Sequence, residues 1–385
     1  MKRKKNMEKK SNFGKIVLAL IIFIIIILGI LVMKQAGMEL LPNEENTEEV
    51  SRIVESVMND ENNIENEVQQ VQTNIAEPIL KVENNNPNVT ETERNTSQEN
   101  NGYFYAQLGE EAKTIYRAIE SHIEDMKTGN YTIDMGDTFQ KLLEQENGSD
   151  KLEQAYQDAW DAINTDRVDL FYVDSSKVYL YTQQTTIWNY STYTVSIGPA
   201  QNSNYYTQGF TSKQMVEETF AQLENVRQSV ISQLTGNTYQ KISQLNNYLV
   251  DTITYDETLN RANTRNIYGA LIEKQVVCEG YAKALKYVLD AIDIPCVLVS
   301  GTATNADGQT ESHLWNYVQI EQNWYAVDST WNDPVIVGGG SPTNAMKTEY
   351  LCKGQTTMQK DHTPNGKVSQ KGMNFTYPTL SMQDY

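Results

Sequence analysis

The spacing of apolar residues changes repeatedly along the chain, and each change predicts a different kind of structure. Residues 16–33, IVLALIIFIIIILGILVM, form an apolar run without a charge. That length is about what a helix needs to cross a hydrocarbon core. A secretory signal peptide has a shorter apolar region and a small-residue cleavage site, which KQAGMELLP does not supply. The reading is an uncleaved single-pass transmembrane helix. Residues 34–101 are rich in Asn, Glu, Gln and Thr and nearly free of aromatics. Such a segment buries too little apolar surface to offset the entropy of ordering, so it reads as an acidic low-complexity stalk. Within it, Val50, Val54, Val57, Ile64, Val68, Val71 and Ile75 follow a 4-3 spacing broken at Glu61. That seam would permit weak self-association of the stalk.

Aromatics return at residue 103. Leu108, Ala112, Ile115, Ile119, Ile123 and Met126 occupy one helical face. A second helix is predicted over 149–164. The period then shortens: RVDLFYVD, KVYLYTQQ and TYTVSIG are β-branched, aromatic and separated by turn residues, and read as strands. Thr211 with Gln214 resembles a capping box opening a helix to about 233. Gly236 and Asn237 break it, and another helix runs to about 250. Ala284, Leu285, Val288, Leu289 and Ile292 then make a helical stripe that begins just after Cys278. The predicted fold class is α+β. An N-terminal α+β subdomain spans 103–210, and a second domain spans 211–385.

The full sequence has 385 residues and a formal net charge of −19. That balance argues against binding nucleic acid, which needs clustered Lys and Arg. The basic residues Lys2, Arg3, Lys4, Lys5, Lys9, Lys10 and Lys15 crowd the tail of residues 1–15. A basic flank stays in the cytoplasm, so everything after residue 34 is expected outside the cell.

There are three cysteines, an odd number for an exported chain, which implies a free thiol or an intermolecular bond. Cys296 and Cys352 read as buried strand residues, and a disulfide between them is an option that the sequence leaves open. Cys278 falls in the first turn of its helix. There the backbone N–H groups lack intrahelical partners and the dipole favours negative charge. Such a position lowers thiol pKa, and the thiolate is the reactive form. The same N–H groups can stabilise an oxyanion. A lone cysteine is more often a small buried hydrophobe, so Cys278 needs a base to be read as a nucleophile.

Of three histidines, His122 lies in a helix among polar neighbours and reads as a solvated surface residue. His313 opens HLWNYVQIEQNWYAVDSTW, which reads as a hairpin with strands 313–319 and 324–328 joined at IEQN. Side chains alternate along a strand, so His313, Trp315 and Tyr317 share a face. If Gln319 pairs with Trp324, Asp328 stands opposite Trp315 and is a diagonal neighbour of His313, within reach of a hydrogen bond. The three residues then supply one mechanism. Cys278 attacks a carbonyl, His313 takes and returns the proton, and Asp328 orients the imidazole. Asp333, beyond the second strand, is the alternative acid.

These residues carry a resemblance. VVCEGYAKALKYVL and SHLWNYVQIEQNWYAVDSTWNDP resemble the nucleophile helix and the His-to-Asp segment of the bacterial transglutaminase-like superfamily, related to papain-like proteases. The resemblance implies a papain/transglutaminase-like core, with a nucleophile helix packed on an antiparallel sheet. It also implies a catalytic triad of Cys278, His313 and Asp328. QLNNYLVDTITYD is similar to a family segment that often carries His-Asp where this chain has Asn246 and Asn247, a departure that bears on packing near the site. His362, in QKDHTP, reads as a supporting residue. No acidic-loop calcium spacing is present, so no metal or other cofactor is expected. The expected activity is that of an extracytoplasmic cysteine protease, deamidase or cross-linking acyltransferase acting on peptide or protein substrates at the cell surface. A catalytically silent surface binding module is the alternative.

Overall fold

The structure is a computed structural model that describes residues 102–188, 190–333 and 343–385. The basic tail, the apolar run 16–33 and the stalk lie outside the described residues. Among the described residues no helix is long and apolar enough to cross a membrane.

Helix α1, Glu110–Ser121, buries Ala112, Ile115, Tyr116 and Ile119. His122 interrupts the expected longer helix at φ −114°, and a short turn of helix, Ile123–Met126, follows. His122 is half-buried and stacks on Tyr131, so it is not a freely solvated side chain. Strand β1, Ile133–Gly136, had no signal in the sequence pattern, being four residues long. Helix α2 spans Gly148–Asp166. The expected strand over RVDLFYVD is absent: 167–173 forms turns with one isolated bridge, Val173 to Tyr206. Its apolar side chains Val168, Leu170, Phe171, Tyr172 and Val173 are all buried, which breaks the alternation a half-buried strand requires.

Strands β2, Tyr179–Ile187, and β3, Tyr190–Gly198, form a long hairpin, and β1 pairs antiparallel with β3 to give the order β1-β3-β2. Helix α3 spans Lys213–Ile231. Its cap is Ser212, whose side chain accepts from the Met215 N–H, rather than Thr211. Helix α4, Thr238–Thr252, starts at a complete capping box made by Asn237 and Gln240. A short parallel pair, β4 (Thr254–Tyr255) with β5 (Gln275–Val276), brackets a π-helix at Gly269–Glu273.

Helix α5, Cys278–Asp290, follows β5 after one residue. Strands β6 (Cys296–Thr304), β7 (Thr310–Ile320), β8 (Asn323–Val327) and β9 (His362–Pro364) then make an antiparallel sheet in the order β8-β7-β6-β9. Apolar residues on one side of this sheet join a core that extends from Phe104 to Phe375 and takes in α5. Val299, Trp315, Tyr317 and Ala326 form a second cluster with Met358 and Leu380. The described region is thus α+β, with a helix packed on an antiparallel sheet.

All three cysteines are free, so the Cys296–Cys352 disulfide does not form. Cys296 begins β6 as expected, but Cys352 sits at φ 50° in a turn. Burial pushes both of these thiols up to about 12, which keeps them protonated and poorly nucleophilic.

Candidate active site

Three chain segments converge on one buried carboxylate. Cys278 is the first residue of α5 and is half-buried. Its own N–H cannot bond within the helix because no residue four positions earlier is helical. The turn into α5 is held by the Val277 N–H, which donates to the Thr264 carbonyl at 2.9 Å. Gly280 is required here by the chain's own packing: a Cβ on it would lie 2.4 Å from the Val276 side chain. The space beside Gly280 is occupied by β5. One turn along, the Tyr281 hydroxyl donates to Asp333 Oδ2 at 2.5 Å. Asp333, the alternative acid, is thereby committed to the helix.

The β7–β8 register has Gln319 opposite Trp324 and Asn316 opposite Val327, which places Asp328 opposite Trp315. Pairing continues one step further than expected, to Ile320 with Asn323. The turn tightens to two residues with Glu321 at φ 56°. His313 and Asp328 are both buried, and His313 Nε2 donates to Asp328 Oδ2 at 2.7 Å. With Nε2 used in this way, Nδ1 is the ring atom left for Cys278. The Cys278 side chain lies close enough to raise the proton affinity of the ring, although no hydrogen bond of regular geometry joins the two among the described residues. Unliganded thiol sites are commonly loose in this way and tighten around substrate.

Asp328 has every acceptor position in use. Oδ1 accepts from the backbone N–H groups of Thr330 at 3.0 Å and Trp331 at 3.1 Å. Oδ2 accepts from His313 and, at 3.0 Å, from His362 Nε2. His362 is held in turn through Nδ1 by Asp361 at 2.6 Å, and the other Asp361 oxygen accepts from the Tyr350 hydroxyl at 2.8 Å. Strand β9 carries His362 to this place, opposite Ala303 of β6. Trp315 and Trp331 flank the two histidine rings with centroids 4.6–6.0 Å apart. This aromatic wall excludes water and strengthens the charges inside it.

Burial alone would push the Asp328 carboxyl up. The His313 charge and hydrogen bond, with the His362 hydrogen bond, outweigh that and hold it well below the usual carboxylate range. Burial works against the His313 proton too, but the Asp328 charge and hydrogen bond, together with Cys278, raise it to about 10. The carboxylate therefore stays ionised and the imidazole holds its proton at neutral pH.

Asn246 is one of the two asparagines at which the chain departs from the family segment. It is fully buried on α4, and its Oδ1 accepts from Ser329 Oγ at 3.0 Å and Asn332 Nδ2 at 2.9 Å. Its Nδ2 donates to the Lys347 carbonyl at 2.9 Å. The departure at Asn246 thus sits under the loop that follows Asp328 and pins it.

His313, Asp328 and His362 also bring three ligand-type atoms within 4.8 Å of one another. The single oxygen Asp328 Oδ2 already accepts from both rings at 2.7 and 3.0 Å. Zinc would need its ligands at about 2.0 Å from a common point. The arrangement reads as a closed hydrogen-bond network.

A family model described as the Transglutaminase-like superfamily matches residues 225–329, a span that holds Cys278, His313 and Asp328. The chain carries a transglutaminase-like domain. Over 98 residues this chain is 29% identical to the kyphoscoliosis peptidase of Mus musculus, a match covering 23% of this chain and 15% of that protein. The chain therefore spans only about 15% of the length of the curated relative it matches. A crystal structure of a TGase is similar at 14% identity and TM-score 0.27, over 44% of this chain and 48% of that one. The periplasmic domain of TgpA from Pseudomonas aeruginosa is similar at 16% identity and TM-score 0.22, over 40% and 63%. With scores this low, the assignment of the transglutaminase-like domain rests on the family match and on the helix-on-sheet arrangement itself.

Proposed function

We propose that the chain is a membrane-anchored cysteine enzyme whose transglutaminase-like domain works outside the cytoplasm on peptide or protein amides. The observation that carries this reading is the buried His313–Asp328 pair, bonded at 2.7 Å beside the cysteine that opens α5. The anchor and outward topology rest on the basic tail and apolar run of residues 1–33.

In this reading the Cys278 proton already rests on His313 Nδ1, and the sulfur, paired with the imidazolium, attacks the amide carbon. Backbone N–H groups of the first turn of α5 face the developing oxyanion. The C–N bond breaks as the imidazolium returns its proton to the leaving nitrogen, leaving a thioester. Water as acceptor then gives hydrolysis or deamidation, and a primary amine gives a cross-link. A silent binding module is the second reading, favoured by the lack of a regular Cys278–His313 hydrogen bond. Incubation with a glutamine-containing peptide, with and without a primary amine, distinguishes them by mass spectrometry. Cleavage, a deamidated product or an amine adduct is expected. An unchanged peptide under all conditions would leave the binding module as the better reading.

The raised proton affinity of His313 makes a signed prediction. An ordinary imidazole loses its proton near pH 6.5. Here the imidazolium that serves the leaving nitrogen persists above that and is lost as pH rises through about 10. The alkaline limb of kcat/KM is expected well above pH 6.5. It should move downward in Asp328→Asn, because the charge that holds the proton is gone. A wild-type limb at 6.5 would contradict this account.

A further inference from the structure

The hairpin of β2 and β3 is the least explained part of the surface. Between Lys177 and Lys213 no residue is charged, in a chain of net charge −19. Beyond Leu180, every residue of β2 is exposed on both faces of the ribbon. Ile187 is 66% exposed, Trp188 93% and Tyr190 64%. A two-stranded ribbon wet on both faces is at best marginally stable alone.

The two edges of this ribbon are treated differently. On the β3 side, where β1 ends, the Gln140 side chain continues the ladder: its Nε2 donates to the Ser191 carbonyl at 2.9 Å and its Oε1 accepts from the Tyr193 N–H at 2.7 Å. On the β2 side no strand pairs among the described residues. The closing pair of a two-residue hairpin, here Ile187 with Tyr190, is hydrogen-bonded across the ribbon. Leu180, Thr182, Gln184 and Thr186 therefore turn their backbone groups outward. None of these groups has a backbone partner among the described residues. Natural proteins guard such edges with charge, proline or a cover, and this one has none of the three among the described residues.

We propose that the β2 edge pairs antiparallel with the β2 edge of a second copy of this chain, centred on Gln184. A two-fold axis along the sheet normal keeps each side chain on its own face, so a symmetric pair must be centred on a residue with outward backbone groups. Centring on Gln184 uses the whole exposed strand. Gln184 meets itself, Thr182 meets Thr186 of the second copy, Gln183 meets Thr185, and Tyr181 meets Ile187. The exposed Tyr181 and Ile187 side chains cover each other, and no charge opposes another. Elsewhere the acidic surface of two copies resists contact. The Tyr179 and Tyr181 rings meet at 62°, edge-on, and offer no flat platform for a sugar. The hairpin segment itself carries no basic residue to hold a lipid headgroup.

Sedimentation velocity of the full chain in mild detergent, over a concentration series, tests this pairing. Wild type is expected to form a dimer that dissociates on dilution. Gln184→Glu and Gln184→Lys each place like charges directly opposite on the ladder and should weaken the dimer roughly fivefold. Mixing the two variants one to one should restore it, since opposite charges then face each other. Both substitutions lie on an exposed strand away from the core, and recovery in the mixture shows that each variant is folded. Wild type that stays monomeric, variants that match wild type, or a mixture that fails to recover would each overturn the pairing. So would binding of a monomeric wild type to phosphatidylcholine vesicles or insoluble polysaccharide that is lost in Trp188→Ser.

Discussion

Replacing Cys278 with alanine is expected to remove covalent acyl-enzyme formation and to lower turnover on the order of 10⁶-fold, the scale of deleting a nucleophile that works as one unit with its base. The size follows from the chemistry. The thioester cannot form without the sulfur, and water attacking directly has no oriented base on its own side of the carbonyl. The fold should survive. Cys278 is half-buried and accepts no structural hydrogen bond among the described residues, so alanine there loses little packing. The other two thiols cannot substitute, because burial keeps them protonated and far up their titration. Intact-mass measurement after mixing with substrate reads the adduct directly, and mapping places it. A Cys278→Ala variant that turns over at the wild-type rate would sink the assignment. So would an adduct that maps to Cys296 or Cys352.

Asp328→Asn is expected to cost about 10⁴-fold in kcat/KM with the fold retained, as when an orienting aspartate becomes asparagine and the imidazole takes the wrong tautomer. Asparagine serves as the orienting residue in papain-like proteases, so chemistry alone does not forbid it. The backbone does. The Thr330 and Trp331 N–H groups require an oxygen at the Oδ1 position, which turns the amide nitrogen of an asparagine toward the two histidines. His313 Nε2 must then accept rather than donate, and the ring proton moves to Nδ1, facing the sulfur it should deprotonate. His362 shares the same oxygen and is displaced with it. Alanine at this position should instead damage the fold, since each buried donor left without a partner costs about 1–3 kcal/mol. Steady-state kinetics with circular dichroism separate the two outcomes. An asparagine variant within tenfold of wild type would mean that Asp328 does not set the tautomer.

Much of the local structure was readable before any tertiary information. Helix α4 follows from the break at Gly236 and Asn237, the start of α5 from the stripe after Cys278, and the β7–β8 register from alternation and the position of the turn. These are short-range regularities in which neighbours in sequence are neighbours in space. The failures share the opposite cause. The apolar run 167–174 looked like a strand because β-branched and aromatic residues pack equally well in buried turns, and only a pairing partner decides between them. Strand β1 was too short to show a period. Whether Cys296 and Cys352 would meet was likewise a question of placement.

Taken alone, the sequence determined which side chains could supply a nucleophile, a base and an acid, because those abilities belong to residue types and to their place within single elements. It determined too that His313 and Asp328 could share one face of a hairpin. The tertiary structure decided what surrounds that pair. It brought His362 from thirty-four residues away to the same carboxylate oxygen, put Asn246 beneath the following loop, and turned Asp333 toward Tyr281. Such contacts form between elements distant in the chain, and they depend on how the sheet and helices pack rather than on any local period. It also left one long strand edge without a partner among the described residues, a property of sheet order that no stretch of sequence contains.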